Sequence, residues 1–410
     1  MAAARRCWGT LKIMPRSCGC SLAEAVPAGH IPVFSPGHKL LSGLPMRRPA
    51  MPFHVASLVL LAFACSGPSA PLVIGFAYPA EGAYQISLQL ARQTLAADGG
   101  REVIIRQPHF DSAPPDEFEM RQAQELAAIP GISAIVGHGS SGSSLAAAPI
   151  YNDSGLPHVN ALATSRLLAR SGPWTFSLIP DDAAEGAFIA DFAAEQLGAR
   201  TASIIYVNDG YGTGLRFGSA AAFAGRGIAV LDQAPIDGDS DLEVTLRAML
   251  LHGEPDVLVV AARVAQSAAI ARLVQRLSPG TRVIVGDGAL VLPTLADSAG
   301  PAAGTIHIVS FWLPDSTPPV RDFVARFERL AGRAPTAFDA LNYDALMLAA
   351  TAARAGGGNR AKVADWLRRL GAAAPDYQGV SGPVSFTTRP RAGMTMARLE
   401  NRQAVAAVPR

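Results

Sequence analysis

From Leu72 onward the chain alternates short runs rich in apolar and β-branched residues with stretches of helical period. "LVIGFAY" (72–78) precedes "YQISLQLARQTLAA", "EVIIRQ" (102–107) precedes "PDEFEMRQAQELAAI", and "ISAIVG" (132–137) precedes "GSSLAAAPIYNDSG". "PHVNA" (157–161) closes this series. Parallel strands need a long crossover, which a helix supplies. The alternation therefore predicts βαβ units with helices on both faces of a sheet.

A second series opens with "DDAAEGAFIADFAAEQLG", a helix whose N-cap is expected at Asp181 or Asp182. "ASIIYV" (202–207), "IAVLDQAPI" (228–236), "DVLVVAA" (256–262) and "RVIVGD" (282–287) read as strands with helices between them. "TIHIVSF" (305–311) is expected to return the chain to the first lobe, and helices are expected near 318–331 and 336–355. "GVSGPVSFTT" and "MARLENRQAVAAV" read as a final antiparallel pair. Two similar α/β lobes result, and a cleft between lobes is a common seat for a small ligand.

Composition narrows the function. With 410 residues, 49% of them hydrophobic and 17% charged, the chain has material for two domains. Lys and Arg number 35 against 33 Asp and Glu, so no electrostatic case exists for nucleic acid. The four cysteines are Cys7, Cys18, Cys20 and Cys65, and the body after Cys65 has neither disulfide nor cysteine-based chemistry. No two of the eight histidines stand at i, i+4, and no metal or cofactor is expected.

Ahead of the lobes lies an address. Residues 1–45 are rich in Pro, Gly and Arg and show no sustained period; they read as an upstream extension, with the real start at Met46 or Met51. Arg47 and Arg48 form a basic region before the apolar run Val55–Ala64, which is short for a bilayer span. Residues 46–64 are thus expected to be an export signal. Ala62 and Ala64 are the small residues at −3 and −1 of a cut before Cys65. "LAFACSG" resembles a bacterial lipoprotein signal, which implies acylation of Cys65 and contact with a membrane only through that anchor. Ordinary cleavage to an unanchored exported protein is the alternative.

Gly137, Gly139 and Gly142 spell G-x-G-x-x-G, the outline of a dinucleotide fingerprint. The motif follows the third strand rather than the first, and the next strand ends in "HVNALATS", with no acid for a ribose. A serine-rich turn at a helix N-terminus remains, and its free N–H groups and hydroxyls suit a carboxylate. "GSSG" is not a hydrolase elbow, so no enzyme is expected.

In order and spacing, "IVGHGSSGSSLAAAPIYNDSGLPHVNALATS", "YVNDGYGTGL", "VIVGDGAL" and "SGPVSF" resemble the type I periplasmic binding proteins, in the leucine/isoleucine/valine branch that feeds ABC importers. The resemblance runs from Leu72 to about Val408. It implies two Rossmann-like lobes with parallel sheets joined by three hinge crossovers. Lobe 1 is expected at 72–180 plus 310–375, and lobe 2 at 181–309 plus 376–410. It also implies an amino-acid ligand and an ABC permease as partner. Ser141, with Ser140 beside it, and the Ala163–Thr164 pair match the family's carboxylate contacts. Leu162 stands where a smaller alanine is common. Tyr211 matches the tyrosine laid over the ligand, Asp287 the acid that accepts its ammonium, and Tyr84 an aromatic after the first strand.

Arg263 departs from the family, standing with Val264 where an aromatic is usual; it would pair with a second polar group on the ligand or serve as a solvated lid residue. Each site residue has a plainer alternative: Tyr211 in the core, Asp287 in a turn or cap, Ser141 and Thr164 as caps, His138 ordering its turn. Two other functions stay open: a sensor of the same fold that transports nothing, and a dinucleotide-dependent enzyme.

Overall fold

The computed structural model describes residues 70–78, 80, 84–109, 115–238, 240–387, 393–400 and 403–407. The extension 1–45, the export signal 46–64 and Cys65 lie outside them. The first series folds as β1 (Leu72–Phe76), α1 (Gln85–Ala97), β2 (Val103–Arg106), α2 (Pro115–Ala127), β3 (Ile132–Val136), α3 (Ser141–Asp153), β4 (His158–Asn160) and β5 (Thr175–Ser177). All five strands are parallel, in the order β2-β1-β3-β4-β5. β5 is an edge strand that the sequence does not announce, because three residues between Trp174 and Leu178 are too few to display a period.

The second series folds as α4 (Asp182–Glu195), β6 (Thr201–Val207), α5 (Gly210–Gly225), β7 (Ala229–Ile236), α6 (Leu242–Leu250), β8 (Val257–Ala261), α7 (Val264–Leu277), β9 (Arg282–Val285), α8 (Leu292–Ala299) and β10 (Ile306–Ser310). Its parallel strands run β10-β9-β8-β6-β7. Numbered from its own first strand, this sheet repeats the order of the other. β10 does not rejoin the first sheet as expected: its residues pair with β9, and the chain crosses only after Ser310. "TIHIVSF" is apolar enough for either sheet, and pairing register, which is not local, decided.

Past the crossing come α9 (Pro318–Ala331), α10 (Ala337–Ala355) and α11 (Arg360–Arg369), which pack on α1, β1 and β3. The C-terminus forms two hairpins rather than one antiparallel pair. β11 (Tyr377–Gly379) pairs with β12 (Gly382–Val384), and β13 (Thr395–Glu400) pairs with β14 (Gln403–Ala406). β13 also runs antiparallel to β10 and widens the second sheet to seven strands. The chain thus passes between the sheet regions after β5, after β10 and after β12. Among the described residues, no helix is long and apolar enough to cross a membrane.

Local chemistry sets the helix starts. Asp181 is the N-cap of α4 and accepts from the N–H groups of Ala183 and Ala184 at 3.1 and 2.9 Å. Thr336 and Asp339 form a capping box at α10, with the Thr336 N–H donating to Asp339 at 2.8 Å. Arg333 pairs with the same carboxylate at 2.8 Å. α4 and α5 approach so closely that a Cβ on Gly186 would lie 2.4 Å from the Gly218 carbonyl carbon.

The first hairpin is tied to α10 by one buried carboxylate. Asp344 accepts from the N–H groups of Val380 and Ser381 at 2.9 and 2.6 Å, and from the Ser381 hydroxyl. Removing it strands buried donors, which costs about 1–3 kcal/mol for each unsatisfied group. Asp344→Ala is expected to lose about 3 kcal/mol of stability. Urea unfolding would measure it, and a loss below ~0.5 kcal/mol would show that the hairpin docks by other contacts.

Candidate functional site

Both sheets have the doubly wound order in which a crevice opens at the carboxyl ends of the strands, where the crossovers diverge. The first sheet reverses between β1 and β3, the second between β6 and β8. The loops leaving those strands carry the residues singled out in the sequence. Tyr84 follows β1, Ser140 and Ser141 follow β3, Tyr211 follows β6, Arg263 follows β8 and Asp287 follows β9. These six line one cleft of about 220 Å³. Gly139, Leu162, Gly288 and Phe338 complete the lining.

Ala163 and Thr164 are not among the lining residues. Asn160 folds the segment over itself: it accepts from the Ala163 N–H at 2.9 Å and donates to the Ala163 carbonyl at 2.7 Å. Ala163 is buried with Ala148 and Leu168, and the Thr164 carbonyl accepts from the Asp182 N–H at 2.8 Å. Leu162 takes the lining position instead.

The glycine turn is built by crowding. Gly137 has φ 136°, and a Cβ there would lie 2.8 Å from the Ala77 Cβ. Only glycine fits such a conformation and approach. Ser140 is the N-cap of α3 and accepts from the Ser143 N–H at 3.1 Å. The Ser143 hydroxyl in turn donates to Glu119 at 3.0 Å. Ser141, the first residue of α3, is only 2% exposed, and its hydroxyl has no hydrogen-bond partner among the described residues. The first N–H groups of a helix lack intrahelical acceptors, so hydroxyl and helix end together form an anion-binding corner.

His138 stands behind this turn, not in the cleft. Its Nε2 lies 2.9 Å from the Tyr151 hydroxyl, while His158 donates from Nε2 to the Gly137 carbonyl. Burial holds His138 down at about 3 and His158 at about 4, so both stay neutral and structural at ordinary pH.

The opposite wall is acidic and aromatic. Asp209 caps α5 by accepting from the N–H groups of Tyr211 and Gly212. Tyr211 lies in a slot between the glycines that flank Asp287: a Cβ on Gly288 would sit 2.5 Å from its ring, and one on Gly286 2.7 Å from its hydroxyl oxygen. The Gly288 N–H donates to that oxygen at 2.8 Å. Arg263 lies over the same ring, 4.4 Å from its centre, and pairs with Asp209 at 3.1 Å. Its charge is therefore already balanced within the protein.

Asp287 is 3% exposed, and its Oδ1 has no partner. Its N–H donates to Glu185 Oε1 at 2.9 Å, which sets the two buried carboxyl groups against each other. Burial, then the Asp287 charge, pushes Glu185 well above the usual carboxylate range. Asp287 is also raised by burial, with Glu185, Arg263 and Tyr211 pulling it back. Asp182 is pushed up to about 7 by burial, against the Thr164 hydroxyl beside it. Tyr84, left-handed at φ 72°, is raised to about 12 by burial and then by the Asp339 charge.

Sequence reading missed Phe338 and Glu185. The signals are faint: an aromatic two residues past a capping threonine, and one acid in the apolar run "DDAAEGAF".

A small cleft with an anion-binding corner on one lobe and a buried acid on the other defines a two-lobed ligand-capture protein. The family model for periplasmic binding proteins matches residues 71–404, and the chain belongs to that family. An amino acid binding protein of Pseudomonas aeruginosa is 24% identical over 311 residues, 73% of this chain and 83% of that protein. A leucine-binding protein from Thermotoga maritima shares the fold with a TM-score of 0.73 at 24% identity, over 82% of this chain and 98% of its own. An ABC transporter substrate-binding protein from Desulfitobacterium hafniense, solved in complex with Leu, matches with a TM-score of 0.69 at 26% identity, over 82% of this chain and all of its own.

The raised acid at Asp182 has a consequence for stability. Its folded value of about 7 lies above the unfolded carboxylate value, so the native state holds a proton the unfolded chain has lost. Stability from this group is fully present below about pH 4 and is lost as pH rises towards 7. Asp182→Asn is therefore expected to gain on the wild type by about 2–4 kcal/mol between pH 4 and pH 8. Parallel urea curves at the two pH values would contradict it.

Proposed function

We propose that the protein is an extracytoplasmic solute receptor that captures an amino acid between its lobes and delivers it to the permease of an ABC importer. The carrying observation is the polarity of the cleft: the unpartnered Ser141 hydroxyl and the α3 N-terminus face a site whose far wall holds Asp287 with an unpartnered Oδ1. A zwitterion has a carboxylate for the first pole and an ammonium for the second, each through charge-assisted hydrogen bonds. Leu162, Tyr84 and Phe338 supply an apolar wall for the side chain. Because Arg263 is balanced by Asp209, a neutral side chain is favoured over a second carboxylate. Relatives named for amino acid binding and an ABC substrate-binding protein solved with Leu support the same reading.

The lobes are taken as 72–180 with 311–384 and 181–310 with the chain after β12, the last boundary lying nearer the C-terminus than the expected 375, and they hinge at the three passages between the sheets. Closure over the ligand needs only small changes at those passages. Export would be directed by residues 46–64, with Cys65 as the lipid anchor. Labelled palmitate is expected in the wild type and absent from Cys65→Ser; equal labelling would remove the anchor.

Calorimetry against the twenty amino acids tests the ligand. A hydrogen bond to a charged group is worth about 1.5–3 kcal/mol, so Asp287→Asn should weaken binding roughly 10-fold to more than 100-fold. Ser141→Ala should cost less, about 5-fold, because the helix N–H groups remain. If Asp287→Asn binds as tightly as the wild type, the ligand carries no ammonium at that pole.

A further inference from the structure

The acidic wall holds more carboxyl groups than one ammonium needs. Asp182 and Glu185 lie on α4 and Asp287 follows β9, and all three are buried. Glu185 stands directly behind Asp287, accepting its N–H at 2.9 Å. The remaining Glu185 oxygen, Oε2, has no hydrogen-bond partner in the protein, and neither has Asp287 Oδ1. The charged and titratable groups around the pair are few. Asp182 shares its helix, Tyr211 reaches it from α5, and Arg263 faces Asp287 from the start of α7. Arg263 is held by Asp209 and is the only cation at this wall among the described residues that line the cleft. Burial and mutual repulsion disfavour ionisation of both carboxyl groups unless a positive charge lies beside them.

We propose that Glu185 makes capture at this site an exchange of a proton for a cation: the Glu185–Asp287 pair holds one proton when the cleft is empty and releases it to solvent when a ligand ammonium arrives. The proposal rests on the reading of the ligand as an amino acid. Charge balances across the step. The empty pair carries one negative charge and one proton; the filled pair carries two negative charges, one positive charge on the ligand nitrogen, and a proton in bulk water. No bond other than Glu185 O–H breaks. Asp287 touches the ammonium, and Glu185 acts through it as a positioning residue. The proton is placed on Glu185, which stands behind Asp287 outside the cleft lining and whose carboxyl burial and the Asp287 charge both push up. This arrangement discriminates as well as attracts. A carboxylic acid or amide of the same shape brings no positive charge to replace the proton. Such a ligand leaves the pair protonated and gains nothing from the second carboxylate.

The sign of the pH effect follows. The free site binds a proton that the occupied site does not, so affinity rises with pH until the free pair has lost its proton, by about tenfold per pH unit for one proton released. Glu185→Gln keeps the shape and the contact to the Asp287 N–H but has no proton to give, and its affinity should be flat over the same range.

Two measurements on the full chain decide the matter. Infrared difference spectra of ligand-free Asp182→Asn protein, which lacks the other raised carboxyl, titrated from pH 5 to 8, should show a protonated carboxyl that outlasts ordinary carboxylic acids and is lost when Glu185→Gln is added. Calorimetry at pH 7 in phosphate and in Tris, with L-leucine and then the other nineteen amino acids as probes, should show close to one proton released by the wild type and close to none by Glu185→Gln. An amino acid that binds with no proton released, and with a pH profile equal in both proteins, overturns the proposal and leaves the ligand reading standing. A persistent carboxyl band with no amino acid bound overturns the ligand reading, and the exchange with it. Absence of the band overturns the exchange whatever binds.

Discussion

The structure depends on a constraint at the edge of a parallel sheet. Helical crossovers cover both faces, and where the direction of winding reverses the carboxyl edge is left open. Both sheets have this reversal, between β1 and β3 and between β6 and β8. The strands themselves are buried apolar runs, and β3 and β8 are buried along their whole length. Polar chemistry has no place within them and gathers in the loops at their ends. Six residues from five such loops therefore meet in one cleft although they span positions 84 to 287.

The walls of that cleft are prepared in different ways. The first lobe presents backbone and hydroxyl donors at the α3 N-terminus, held by Ser140 as cap and by the crowding of Gly137 against Ala77. These groups are neutral and cost little to keep. The second lobe buries three carboxyl groups, which is expensive unless they are protonated or paired. Arg263 offsets part of that cost at Asp287, while it also pairs with Asp209 and lies over the Tyr211 ring. The imbalance is what a positively charged ligand group would relieve. At α4 the cost is plain: a neutral side chain at Asp182 suits the fold better at high pH than the buried acid does.

Support for the cleft comes from far along the chain. α10 crosses the first sheet and buries most of its length. Its capping box fixes the first turn, from which Phe338 lines the cleft. Further along the same helix, Asp344 anchors the β11–β12 hairpin. One helix therefore links the site to a passage between the sheets.

Much of this was legible in the residues. Alternating strand and helix periods predicted both series, because burial on two faces of a parallel strand leaves an apolar run and its crossover leaves a helical stripe. α9 falls on the expected 318–331, and α4 starts from Asp181 as its capping chemistry requires. The serine turn, Tyr211 and Asp287 were visible because a loop at a strand end carries polar or aromatic residues for a reason other than packing. Other features were not visible, and the reasons are physical. β5 is too short for a period, and β10 carries no mark of which sheet it joins. Thr164 and Ala163 carry no local mark of the turn by which Asn160 bonds Ala163 and holds their segment off the cleft lining. Glu185 reads locally as one acid in a helix; only tertiary structure brings it against Asp287, 102 residues away, where burial and the neighbouring charge push its carboxyl up.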